Sequence, residues 1–226
     1  MTDRIKNLLA YLIPPKLYWL IVGKTNPLSS AIEGEYDERS FYKLGNYELN
    51  LFKKLGVIKK GYRTCEIGCG PGRIQKALVK YLKGDVYGTD ISTSMISKAK
   101  KEVPDAIFSV GNGFNLVQYR DRFFDLVYAF VVFQHMDEHI CKNYLRESYR
   151  ILKNNGHLVF QIPSSENLSS YKRPVNHPWH LRKYQRDEVS DYLKKIGFKD
   201  IYVYDMSAKK NPRQVDERGF LFKCTK

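Results

Sequence analysis

The chain has 226 residues, of which 43% are hydrophobic, and a formal net charge of +14. This length fits one domain with its own core, and the composition excludes a disordered or low-complexity chain. The positive charge favours an anionic partner such as nucleic acid, a phosphorylated substrate or a membrane surface, although lysine-rich surfaces commonly serve solubility alone.

The amino-terminal segment Leu8–Val22 is apolar, but Pro14, Pro15 and Lys16 interrupt it. A spanning helix needs about 20 apolar residues, so we expect no bilayer crossing here. The segment is predicted to be an arm that packs on the domain, or that contacts a membrane interface or a partner. Helical spacing of apolar residues over Ser40–Leu55 then predicts one amphipathic helix before the first strand.

The stretch Arg63–Arg73 places alternating apolar residues before a cluster of glycines, and the run Ile74–Leu82 has helical spacing. This pattern predicts a strand, a tight turn and a helix, as at the start of a nucleotide-type pocket. The glycines let the backbone turn sharply and let a ligand lie against it. They are Gly68, Gly70 and Gly72.

Two residues argue against a dinucleotide as the ligand. Arg73 stands where the G-x-G-x-x-G fingerprint needs its third glycine. Glu66 would repel a pyrophosphate, but it suits a ligand that carries an ammonium group. A strand over Asp85–Thr89 then leads to Asp90, where open α/β sheets place a carboxylate that accepts from a ribose diol; a helix cap is the alternative role.

The elements that follow continue the alternation of strands and helices. We predict a helix over Ser92–Lys101, capped by Ser92, and a third strand over Ala106–Val110. In the loop after this strand, Asn112 is placed to meet a purine edge and Phe114 to flank it, unless the loop is an ordinary turn.

The second half of the chain is predicted as further strands and helices, with a long polar loop over 163–180 that is typical of a lid or substrate wall. A strand over Phe123–Phe133, apolar on both faces, should lie centrally. The other predicted elements are a helix over Glu138–Leu152 stopped by Asn154–Gly156, a strand over His157–Ile162, a helix over Arg186–Ile196, and strands over Lys199–Tyr204 and Gly219–Cys224.

This alternation predicts an α/β fold with a parallel sheet and helices on both faces. No repeat or linker divides the chain, so we expect a single domain over 1–226. Its predicted parts are an arm and helix over 1–61, a cofactor-binding core over 62–162, a substrate-side loop over 163–185, and a carboxyl-terminal helix and strands over 186–226. The four cysteines form no framework, and without a signal peptide they indicate reduced thiols and a cytoplasmic protein; no metal site is expected.

The order of these motifs resembles that of a class I S-adenosylmethionine-dependent methyltransferase, over about Tyr62 to Phe198. The family's acidic-x-G-x-G-x-G motif matches Glu66–Gly72, and its acidic residue after strand two matches Asp90. Its later motifs match Phe124–Val127, Gln134–Met136 and Leu152–Gly156. The resemblance implies a Rossmann-like, seven-stranded, mostly parallel sheet with an antiparallel last strand.

The resemblance also implies S-adenosylmethionine as cofactor. The family usually carries Asp at position 112 to accept from the adenine amino group; Asn112 can present its carbonyl oxygen instead, so we expect weaker or re-tuned binding. The expected cofactor-binding residues are Glu66, Gly68, Cys69, Gly70, Gly72, Arg73, Asp90, Ile91, Asn112, Gly113, Phe114 and Phe130.

On the acceptor side, His135 is the favoured general base because it follows strand four at the ligand-binding rim; a structural histidine is the competing interpretation. His139, His177 and His180 are further candidate bases, and Tyr36, His177 and His180 are also candidate substrate-binding residues. Four cations of the long loop are predicted to flank the entrance for an anionic acceptor. They are Lys172, Arg173, Arg182 and Lys183.

The acceptor class is predicted from missing signatures. Tyr128–Val131 stands where amino-methylating nucleic-acid enzymes carry an N/D-P-P-Y/F motif, and the chain lacks the Pro-Cys pair of cytosine C5 enzymes. We therefore predict methyl transfer to a small molecule, lipid or glycan, at oxygen. The alternatives are an RNA or protein methyltransferase, a non-catalytic cofactor-binding module, and a nicotinamide oxidoreductase.

Overall fold

The computed structural model describes residues 12–13, 15–25, 37–163, 184–206 and 219–226. Among the described residues, two helices precede the first strand: α1 spans Pro15–Thr25 and α2 spans Glu38–Lys54. The α1 helix begins at a proline, whose fixed φ suits a first helical position. The α2 helix is capped by Asp37, whose carboxylate accepts from the Ser40 N–H at 3.0 Å.

Strands and helices then alternate along the chain. Their bounds are β1 Thr64–Ile67, α3 Arg73–Leu82, β2 Val86–Asp90, α4 Thr93–Glu102, β3 Ile107–Val110, β4 Phe124–Ala129, α5 Glu138–Ile151, β5 Leu152–Pro163, α6 Arg186–Ile196, β6 Lys199–Asp205 and β7 Gly219–Thr225. A short 3₁₀ turn, Phe133–His135, lies between β4 and α5.

The strands form one seven-stranded sheet in the order β3-β2-β1-β4-β5-β7-β6. The pairs from β3 to β5 are parallel, and β7 runs antiparallel to both β5 and β6. One apolar core packs α2 and α3 against the sheet, and a second packs α5 and α6 against it. The predicted α/β class, with helices on both faces and an antiparallel last strand, is therefore confirmed.

Two predicted boundaries were wrong. The fourth strand ends at Ala129 rather than Phe133, because Val131 takes a positive φ of 58° and the chain then enters the 3₁₀ turn. The apolar Phe133 is buried against Tyr144 and Phe160 instead of pairing in the sheet. Apolar character thus extends past the strand because this turn is also in the core.

The fifth strand begins at Leu152, five residues before the predicted start. The segment Asn154–Gly156 does not end the ladder but forms an irregularity in it, since Phe124 pairs with Leu152 and Leu126 with His157. Asn155, with a φ of 62°, donates its N–H to the Lys226 carbonyl. The asparagines therefore bend a long strand rather than separate a helix from a short one.

No helix among the described residues is both long and apolar enough to span a bilayer. The arm predicted over 8–22 contains α1 in its described part, and this helix packs beside α4. Four strand ends, those of β1 to β4, meet at the same edge of the sheet because these strands are parallel neighbours. The loops that follow them form the candidate site.

Candidate functional site

The glycine turn after β1 is anchored to the end of β2 by backbone hydrogen bonds. Gly68 and Cys69 both donate to the Thr89 carbonyl, at 2.8 and 3.0 Å. Gly68 has a φ of 71°, and a Cβ there would lie 2.4 Å from Cγ2 of Val132. Only glycine fits this close approach, so the turn is held directly against the loop that follows β4.

Glu66 lies at the end of β1 and is 4% exposed. Its Oε2 accepts from Nε2 of Gln75 at 2.7 Å, whereas its Oε1 accepts no hydrogen bond from the described residues. Burial raises the pKa of Glu66 to about 8, and Arg73 and the Gln75 amide offset part of this rise. A cationic ligand group that reached Oε1 would stabilise the carboxylate form.

Asp90 ends β2, and its carboxylate accepts hydrogen bonds from two backbone segments. Oδ2 accepts from the Gly70 N–H at 3.0 Å, and Oδ1 accepts from the Ser92 N–H at 2.8 Å. Burial raises the pKa of Asp90, and these backbone donors lower it in part. Ser92, rather than Asp90, accepts from the Met95 N–H as the cap of α4. Since a carboxylate has about four acceptor positions, Asp90 retains capacity for ribose hydroxyls.

The loop after β3 is organised by Asn112. Its Oδ1 accepts from the N–H groups of Phe114 and Asn115, at 2.8 and 3.0 Å, and its Nδ2 donates to Oδ1 of Asn115. Gly113 has a φ of 80° between them, and the Phe114 ring is 46% exposed. At Asn112 the loop has the hydrogen bonds of the alternative, an ordinary turn, and the Phe114 ring is open to a ligand; the purine contact of Asn112 stays a prediction.

The rim after β4 brings together residues that the sequence did not connect. The His135 ring contacts the Trp19 ring of α1, with centroids 5.2 Å apart. Gln134 is 3% exposed; its Nε2 lies 3.4 Å from Nε2 of His135, and its Oε1 has no donor among the described residues. Val131 takes its positive φ here, and such strain in a β-branched residue is typical of functional loops.

Three predicted cofactor residues direct their side chains into the protein. Cys69 is buried in an apolar cluster with α4. Phe130 packs against Phe52 of α2 and Tyr128. The Arg73 guanidinium donates to the Glu48 carboxylate at 2.8 Å. The charged group of Arg73 is therefore engaged by α2, and cofactor contact by these three residues stays a prediction.

Of the remaining predicted residues, some lie in the described part of the chain and others lie outside it. Ile91 follows Asp90 and is half-buried, and His139 is exposed in the first turn of α5. Tyr36, His177 and His180 lie outside the described residues, as do the four cations of the long loop, Lys172, Arg173, Arg182 and Lys183.

Sequence reasoning missed Trp19, Gln134 and the Glu48 partner of Arg73. Trp19 lies in the apolar arm, which was predicted only to pack on the domain or to contact a membrane interface or a partner. The Gln-His pair at 134–135 carried a signal, because a glutamine next to the candidate base at a rim is a plausible polar contact. For Glu48 no local signal exists, since its partner lies 25 residues further along the chain.

Together these groups fit S-adenosylmethionine. An available carboxylate oxygen on Glu66 suits an ammonium group, Asp90 suits a ribose diol, and the Asn112 loop with Phe114 suits a purine ring. The turn at Gly68 permits close approach of a ligand to backbone.

Comparison with known proteins leads to the same family. Residues 65–160 match the model of a methyltransferase domain. The chain is 24% identical to phosphoethanolamine N-methyltransferase 2 of Caenorhabditis elegans, over 80% of this chain and 43% of that protein. It is 28% identical to trans-aconitate 2-methyltransferase of Rhodopseudomonas palustris, over 60% of this chain and 53% of that protein.

The chain thus spans about half the length of the curated relatives that it matches. A crystal structure of an S-adenosylmethionine-dependent methyltransferase from Archaeoglobus fulgidus shares the fold with a TM-score of 0.66 and 17% identity, covering 88% of this chain and 97% of that one. Residues 65–160 thus form a methyltransferase domain, in a fold that the chain shares with S-adenosylmethionine-dependent methyltransferases.

Proposed function

We propose that this chain transfers the methyl group of S-adenosylmethionine to an oxygen atom of a small-molecule, lipid or glycan acceptor. The observation that carries this proposal is the contact of Trp19 with His135 at the end of β4. It encloses a candidate base at the same rim as the acidic cofactor residues Glu66 and Asp90, so one sheet edge offers both a cofactor side and an acceptor side.

On the cofactor side, Glu66 would bind the ammonium group, Asp90 the ribose hydroxyls and Asn112 the adenine edge. Asp90 has a second role, since its bond to the Gly70 N–H fixes the turn on which the ligand would lie. When bound, S-adenosylmethionine supplies an electrophilic methyl group, so the protein needs no covalent nucleophile.

On the acceptor side, His135 would take the proton that a hydroxyl acceptor loses as it is methylated. The flat face of the Trp19 ring would pack against the acceptor and exclude water from the rim. The Gln134 carbonyl oxygen, buried without a described donor, would accept a hydrogen bond from the acceptor. These roles orient the acceptor, which is the main requirement of methyl transfer.

The relatives support a small acceptor without selecting one, because their names specify phosphoethanolamine N-methylation and trans-aconitate 2-methylation. The net charge of +14 favours an anionic acceptor among these classes. It also keeps RNA as a second candidate substrate, since a basic surface is what nucleic-acid binding requires.

A transfer screen tests the proposal. The purified chain is incubated with methyl-labelled S-adenosylmethionine and separate pools of metabolites, lipids, glycans and RNA. We expect label in one of the first three pools, in an ether or ester product. His135→Gln should lower kcat by about 10²–10⁴-fold, the usual contribution of a general base.

The matched control is His139→Gln, which alters an exposed histidine of α5 and should leave kcat at the parental value. Label in RNA alone would replace the acceptor class with the second candidate. No label in any pool would contradict the transferase assignment.

A further inference from the structure

Helix α2 is docked on the glycine turn along one face. The Tyr42 hydroxyl donates to the Pro71 carbonyl at 3.1 Å. Three residues on, Gly45 lies so close that a Cβ there would be 2.3 Å from the Arg73 carbonyl oxygen. Three residues further, Glu48 accepts from the Arg73 guanidinium at 2.8 Å. The spacing of three residues places all these contacts on the same side of the helix.

The last of these contacts is a buried ion pair, with Arg73 7% and Glu48 0% exposed. Arg73 is also the first residue of α3, where the helix dipole disfavours a positive charge. Burial alone would lower the pKa of Arg73, but the Glu48 carboxylate, with smaller contributions from Glu66 and Tyr128, raises it above its usual value. A guanidinium at this position therefore depends on its carboxylate partner.

A second carboxylate lies within electrostatic range of Arg73. Glu66 accepts at 2.7 Å from Nε2 of Gln75, which lies two residues from Arg73 on the same helix, and the Arg73 charge lowers the pKa of Glu66. Its Oε1 receives no hydrogen bond from the described part of the chain. If Glu48 were neutral, the guanidinium would gain from turning to Glu66, because a buried charge without a partner is strongly destabilising. It would then occupy the oxygen that a cationic ligand group needs.

We propose that Glu48 sequesters the Arg73 guanidinium, and thereby keeps the Glu66 carboxylate available to the ammonium end of the cofactor. This inference rests on the proposed binding of S-adenosylmethionine at this site. Glu48 and Arg73 are positioning residues in it, since they act through Glu66.

Two ligands separate this electrostatic role from a mechanical one. S-adenosylhomocysteine carries the ammonium group, and 5′-methylthioadenosine retains the nucleoside but lacks the amino-acid end. Calorimetry on Glu48→Gln should show S-adenosylhomocysteine bound at least about tenfold more weakly than by the parent, with little change for 5′-methylthioadenosine. Equal losses for both ligands, or no loss for either, would overturn the proposal.

The double variant Glu48→Gln/Arg73→Gln provides the decisive comparison. It replaces the ion pair by two neutral amides of similar size, which a folded core tolerates better than a lone charge. With no guanidinium to compete for Glu66, most of the lost S-adenosylhomocysteine affinity should return. If Glu48→Gln does not fold, the double variant alone decides: near-parental affinity for both ligands supports the proposal, and selective loss of S-adenosylhomocysteine affinity overturns it.

Tyr42→Phe is the mechanical control. It removes a contact between the same helix and the same turn without changing a charge, so any loss should fall equally on both ligands. A selective loss of S-adenosylhomocysteine affinity in Tyr42→Phe would show that helix docking, rather than charge, sets the selectivity. A parent chain that binds neither ligand would instead contradict the proposed function itself.

Discussion

Replacing Asp90 by alanine should lower both the unfolding free energy of the chain and its affinity for the cofactor. The change leaves the N–H groups of Gly70 and Ser92 without their acceptor, and these bonds are 3.0 and 2.8 Å long. A hydrogen bond to a charged group contributes about 1.5–3 kcal/mol. Because burial of the carboxylate is itself costly, as its raised pKa indicates, we expect a net loss of about 2–3 kcal/mol in unfolding free energy.

Cofactor affinity should fall by a further amount that stability does not explain. Loss of the ribose contacts should reduce the affinity for S-adenosylhomocysteine by about 1.5–3 kcal/mol, or roughly 10–150-fold. Urea denaturation measures the first quantity and titration calorimetry of the folded variant measures the second.

Asp90→Asn is the matched control, because it keeps the size and one carbonyl oxygen but loses the charge and one acceptor. The losses of unfolding free energy and of S-adenosylhomocysteine affinity in Asp90→Asn should both lie between those of the parent and of Asp90→Ala. Parental affinity in Asp90→Ala would remove Asp90 from the ribose site, and parental stability would show that the turn does not depend on its carboxylate.

Three further predictions concern the rest of the site. Glu66, with a pKa of about 8 in the free chain, should be protonated near pH 6.5, whereas pairing with an ammonium group requires its carboxylate form. Binding of S-adenosylhomocysteine should therefore release about one proton at pH 6.5, and fewer protons as the pH rises above 8. For the same reason the affinity for S-adenosylhomocysteine should increase from pH 6 towards 8. Calorimetry in two buffers of different ionisation enthalpy measures this release, which Glu66→Gln should abolish; a parental release in that variant would assign the proton elsewhere. Asn112→Asp should hold or improve cofactor affinity, because it keeps the oxygen that accepts from the Phe114 and Asn115 N–H groups. Asn112→Leu lacks this oxygen and should bind the cofactor more weakly by about 1–3 kcal/mol. Equal cofactor binding by both variants would mean that the loop is only a turn. Trp19→Ala should raise KM for the acceptor about tenfold or more and leave the affinity for S-adenosylhomocysteine unchanged. Trp19→Phe keeps an aromatic ring and should bring KM most of the way back to the parental value. A parental KM in Trp19→Ala would show that the ring does not contact the acceptor.

The sheet and the cofactor side were predictable because their signals are local. Positive φ values at Gly68 and Gly72 require the glycines that the sequence shows, and Asp90 is the last residue of its strand. The alternation of strands and helices then fixes which strand ends meet, since parallel neighbours present their carboxyl ends at one edge.

The acceptor side was only partly predictable because it depends on packing between distant segments. His135 was found from its position after β4, but nothing in the arm indicated that Trp19 would reach it. The Glu48–Arg73 pair likewise joins two helices whose charged residues look like ordinary surface residues in sequence. The end of β4 was misjudged because Phe133 is as apolar in a buried turn as it would be in a strand.

We expect this sheet edge to hold S-adenosylmethionine rather than a nicotinamide dinucleotide. Titration calorimetry of the purified chain distinguishes the two, with S-adenosylmethionine, S-adenosylhomocysteine and NAD as separate ligands. The first two should bind at one site per chain, more weakly in Asp90→Ala, and NAD should bind little or not at all. Tight binding of NAD, or no binding of either S-adenosyl compound, would contradict this expectation.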